Sequence, residues 1–103
     1  MTKQNLIDVL NELKSACLSC KHSDSAVRSL MTKYNMLFLG ESINVIYSND
    51  FYFSLQTVFG YCVTMEEFMS LIPPVCSELG MKYEPMYTLS TPDVIEAYRI
   101  ELW

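Results

Sequence analysis

A chain of 103 residues, half of them hydrophobic and 18% charged, is long enough to bury one core unaided and too short for two, and its composition excludes disorder. No apolar run approaches the roughly 18 residues of a membrane span, and the acidic, polar N-terminal stretch is unlike a secretory signal, so a cytoplasmic protein without membrane contact is expected. The formal charge of −5 is unevenly spread: residues 1–33 hold five cations against three carboxylates, and residues 34–103 hold two against nine, a field that repels nucleic acid and favours a basic protein surface.

Thr2 offers a helix cap, and Leu6, Leu10, Leu13, Cys17 and Cys20 recur at steps of three and four. That spacing predicts a helix over about 3–20. Lys21-His22-Ser23 interrupts it, and Ser23 or Asp24 can cap a second helix carrying Val27, Leu30, Met31, Tyr34, Leu37 and Phe38 toward Gly40. The short loop makes the two helices an antiparallel hairpin over about 3–39, although Met36–Leu39 also fits the start of a strand.

Residues 43–63 hold twelve side chains drawn from Ile, Val, Leu, Phe and Tyr, and one charge, Asp50. Aromatic and β-branched residues alternate with polar ones here, which predicts a pleated ribbon, either a hairpin turning at Ser48-Asn49-Asp50 or one bent strand. Phe53 and Leu55 then belong to the core. Thr64-Met65-Glu66-Glu67 has capping-box spacing, with a helical stripe from Met65 to Leu79 that Pro73-Pro74 should kink or divide. Residues 82–89 read as an extended edge strand because Pro85 cannot donate to a ladder. Ser90-Thr91-Pro92-Asp93 suits a cap, but Tyr98, Ile100 and Leu102 alternate with charges, favouring a strand over about 95–102. The expected class is α+β in one domain: an N-terminal helix pair, then an α/β part over 43–103 with a small antiparallel sheet of three or four strands and a proline-interrupted third helix.

No catalytic or cofactor signature emerges. Cys17 and Cys20 form a CxxC with His22 nearby, but no second close pair completes a zinc site and both cysteines lie on an apolar stripe, so buried thiols are expected, with Cys62 and Cys76 likewise. His22 is the single histidine and stands in a turn. Three glycines leave no phosphate-cradling loop. The chain therefore reads as a non-enzymatic, cofactor-free module that binds a larger protein through a basic patch. Small acidic domains of this type are common among viral or mobile-element inhibitors and enzyme regulators, and seven tyrosines and seven methionines suit an interface. Tyr52, Tyr61, Glu66, Glu67, Glu96 and Glu101 are the candidate contacts. The alternatives are a self-associating homodimeric subunit, or a metal or redox module built on Cys17, Cys20 and His22.

Overall fold

The first helix begins where its cap is placed. In this computed structural model, which describes residues 1–90 and 92–103, the Thr2 hydroxyl accepts the Asn5 N–H while the Asn5 side chain accepts the Thr2 N–H at 2.9 Å. Two otherwise free amides are thereby satisfied. Helix α1 runs over Lys3–Cys20 as its spacing predicts, with Leu6, Leu10, Leu13 and Cys17 fully buried. Ser23 caps α2 (Asp24–Tyr34), which stops short of Gly40 because Asn35 turns left-handed, φ 51°, and its N–H closes on the carbonyls of Met31 and Thr32. Leu39 then pairs with Val45 in a single antiparallel bridge.

The aromatic stretch corrects the expected ribbon. Only Val45–Tyr47 is a strand, β1, and Ser48–Thr57 is a helix, α3. Ser48, Asn49 and Asp50 form its first turn where a hairpin turn was expected. The buried positions Ser48, Phe51, Ser54 and Leu55 step by three and four, a helical face hidden under the alternation of aromatic and polar residues. Packing overrides the strand preference of Phe and Tyr. Leu55 is fully buried as expected, but Phe53 points outward at 52% exposure. Residues 58–64 form an irregular connection, in which the Val58 and Phe59 amides close on the Ser54 carbonyl and that of Tyr61 on Leu55.

Thr64 caps α4 (Met65–Leu79) by accepting the Glu67 N–H at 3.1 Å. No return bond from the Glu67 carboxylate occurs among the described residues, so the box is half formed. Pro73 and Pro74 lie inside a single helix that is not divided into two. Ile72, Val75 and Cys76 face the core while Pro74 is exposed, which places the proline defect toward solvent, where water can serve the freed carbonyls. Gly80, at φ 70°, ends the helix in the left-handed region.

Strands β2 (Lys82–Tyr87) and β3 (Ile95–Glu101) complete an antiparallel sheet of order β1-β3-β2 among the described residues. The expected cap at Ser90–Asp93 includes Thr91, which lies outside the described residues. Pro85 stands opposite Tyr98, whose N–H turns the other way and donates to the buried Ser48 Oγ at 2.8 Å. That pair is therefore a non-hydrogen-bonded one, and the donor that proline lacks is missing from the open edge, not from the ladder. Ile46, Ile100 and Leu102 are fully buried and join α1, α3 and α4 side chains in one core. The result is an α+β fold in which α3 and α4 contact the sheet and α1 packs on α2 and α4.

Candidate functional site

The six predicted contact residues fall on two parts of this frame. Tyr52 and Glu67 line one open groove with Gln56, Cys62, Val63 and Thr64. Glu66 and Glu67 are exposed in the first turn of α4, with no ion pair among the described residues, where carboxylates also favour the positive end of the helix dipole. Tyr52 is committed to the fold: its hydroxyl donates to the Val63 carbonyl and its ring leans on Phe68 at 5.3 Å. Tyr61 is half-buried against the core. Glu96 and Glu101 lie on β3. Glu96 is exposed, whereas Glu101 accepts from Arg99 at 2.9 Å, a bond that holds the guanidinium above its ordinary pKa.

The cysteines are used structurally on α1 and α4. The Cys17 thiol donates to the Ile43 carbonyl at 2.7 Å, tying α1 to the chain entering β1. Burial, with Cys20 adding, pushes it up to about 11, and burial alone does the same for Cys76. Both are protonated, non-nucleophilic thiols at neutral pH. Cys62, expected on an apolar stripe, is exposed because residues 58–64 form a loop. His22 is exposed in the turn after α1, and no group of three or more His, Cys, Asp or Glu side chains is arranged to hold a metal among the described residues.

Two surfaces escaped the sequence reading. The first is the free end of the β2–β3 hairpin, where Met86, Tyr87, Leu89, Val94 and Ile95 are all exposed and Leu89 stands wholly in solvent. Scattered single apolar residues are ordinary on a surface, but five within ten positions at one end of a hairpin are not. Residues 83–98 also carry Glu84, Asp93 and Glu96 with no lysine or arginine. That run of apolar residues among turn formers was the available signal; Lys82 and Arg99 bound it, with Arg99 opposite Glu84 across the strands, so Asp93 and Glu96 are the acids nearest the tip. The second surface is an open groove of about 530 Å³ between the end of α2 and α3, lined by Met31, Met36, Leu37 and Phe53 with Thr32, Asn35 and Asp50.

Comparison with protein-family models, with curated proteins and with solved structures finds no match to this chain. No helix among the described residues is long and apolar enough to cross a membrane.

Proposed function

We propose that this chain is a small acidic protein-binding module, acting as an inhibitor or regulator of a larger protein and docking through the tip of the β2–β3 hairpin. The single observation that supports this reading is the exposed apolar tip of the hairpin, with the carboxylates of Asp93 and Glu96 beside it. Leaving Leu89 wholly in water forgoes roughly 1.5–3 kcal/mol that complete burial by a partner would return, and the half-exposed Tyr87 and Val94 forgo about half as much each. The carboxylates of Asp93 and Glu96 select the partner surface that surrounds the tip. A rim of lysine and arginine attracts them; an anionic membrane repels them. Glu66 and Glu67 then contribute at longer range, raising the rate of encounter more than the lifetime of the complex.

The test is affinity capture from the native host with wild-type protein and with the double variant Tyr87→Ser/Leu89→Ser, compared by quantitative mass spectrometry. The expected outcome is one protein retained by the wild type and reduced at least about tenfold by the variant, with retention by the wild type falling as salt rises. Equal retention at an unchanged melting temperature rules the tip out.

A further inference from the structure

The groove between α2 and α3 has the chemistry of a second, narrower recognition site. Leu37 and Phe53, each 52% exposed, flank it, and Met36, 4% exposed, forms part of its floor. Its polar lining is unequal. Thr32 donates to the Arg28 carbonyl at 3.1 Å and the Asn35 amide to the Thr57 hydroxyl at 3.5 Å, so both are engaged within the chain. Asp50 is the one charged side chain of the lining and has neither hydrogen bond nor ion pair among the described residues. Asp50 stands in the first turn of α3, where the positive pole of that helix offsets part of its charge, while the C-terminal end of α2 opens on the same groove and adds its negative pole. Apolar walls beside one free carboxylate suit an apolar side chain with a cation next to it.

We propose that this groove receives a segment of the partner protein in which an aliphatic or aromatic residue is followed directly by arginine or lysine. The proposal rests on the binding-module reading and specifies the chemistry of the partner. Charge favours a basic partner. A second copy offering its apolar tip would bring Asp93 and Glu96 toward Asp50, and two copies apposed groove to groove would bring Asp50 toward its equivalent; a copy offering the basic residues of α1 and α2 is the arrangement that the sedimentation below tests. A basic partner meets attraction at each of these points. The exposure of Phe53 has an explanation on this reading, since an aromatic ring held on a helix presents a large contact area at little entropic cost.

Isotope-labelled protein of the 103-residue chain is titrated with the capped peptide Gly-Ser-Leu-Arg-Arg-Ser-Gly, and in parallel with versions carrying glutamate for both arginines or serine for the leucine. Amide shifts confined to residues 31–37 and 50–53, saturating at millimolar peptide, are expected, with each control peptide at least about tenfold weaker. Asp50→Asn should weaken the arginine peptide similarly and leave the melting temperature within a few degrees; the peptide controls on wild-type protein keep the test valid if that variant misfolds. No shift at about 10 mM peptide, equal shifts from the glutamate peptide, or shifts centred on residues 86–95 would each overturn the proposal. Sedimentation of the same sample showing a dimer that Phe53→Ser dissolves would assign the groove to a second copy and overturn it too. A failed peptide titration beside a partner lost from the Tyr87→Ser/Leu89→Ser variant removes the groove and leaves the binding-module reading standing. Peptide binding without any tip-dependent partner does the reverse.

Discussion

Phe51 and Phe53 are two residues apart, and the fold makes their truncation costs opposite. On a strand they would share a face and both would be buried; on α3 they lie roughly 200° apart around the axis. Phe51 is fully buried and meets Phe68 edge-on at 5.6 Å. Phe51→Ala should therefore cost about 3–5 kcal/mol, including the aromatic pair. Phe53 is half in water, so its truncation loses on the order of 1 kcal/mol of burial and recovers roughly half of that from the better helix propensity of alanine. The expected gap between the two variants is at least about 2.5 kcal/mol in urea unfolding, with equal slopes. Phe51→Ala takes a large share of the roughly 5–15 kcal/mol that holds a domain of this size, so Phe51→Leu, expected to cost about 1–1.5 kcal/mol, serves as the milder comparison. Equal destabilisation by Phe51→Ala and Phe53→Ala would refute the helix and restore the ribbon.

Three further outcomes follow from particular contacts. Ser48→Ala removes the acceptor of the Tyr98 N–H and should cost about 1–3 kcal/mol, whereas Ser54→Ala deletes a buried hydroxyl with no partner among the described residues and should be neutral or stabilising; equal costs in urea unfolding would contradict this. Cys17 and Cys76 have folded pKa values near 11, above the ordinary thiol value of about 9, so the folded state favours the protonated form. Their contribution is complete below about pH 9 and is lost as pH rises through about 11, and melting temperatures should fall over that window with a shallower slope in Cys76→Ala. A pH slope unchanged in that variant would mean the thiol does not titrate with unfolding. Glu66→Lys/Glu67→Lys should slow association with the captured partner and barely alter dissociation, and the difference should shrink at high salt; stability is measured in parallel because of the adjacent cap.

The helical hairpin was legible because its signals agree. Thr2 and Ser23 cap, apolar residues recur at steps of three and four, and the turn between the helices is polar. At β3 the signals conflicted, a possible cap at Ser90–Asp93 against the alternation of Tyr98, Ile100 and Leu102 with charges, and the alternation prevailed; Pro85 marked the edge position of β2. Residues 48–57 were misread because two periods coexist there. Phe51, Phe53 and Leu55 satisfy a period of two, while Ser48, Phe51, Ser54 and Leu55 satisfy 3.6, and two members of the second set are serines that hydropathy does not count as core. Ser48 earns its burial through the Tyr98 amide, a contact fifty residues distant that no local window contains.

The surfaces were harder to read for a related reason. Burial patterns mark residues that must leave water, so an apolar residue is assigned to the core by default, and Phe53 was assigned there. Its true position follows only once the helix places Phe51 and Leu55 inward. Tyr52 shows the converse: a tyrosine reads as a surface anchor, yet its hydroxyl closes the fold on Val63 and its ring supports Phe68. The hairpin tip needed no long-range knowledge. Turn-forming residue types follow β2 directly, and Tyr87, Leu89, Val94 and Ile95 at that end of the hairpin are all exposed. Exposed apolar residues in such a cluster are either a liability or an interface, and the carboxylates of Asp93 and Glu96 beside them argue for the second. Charge limits tip-to-tip self-association, one of the two hazards of an exposed apolar tip, and favours a partner surface of opposite sign.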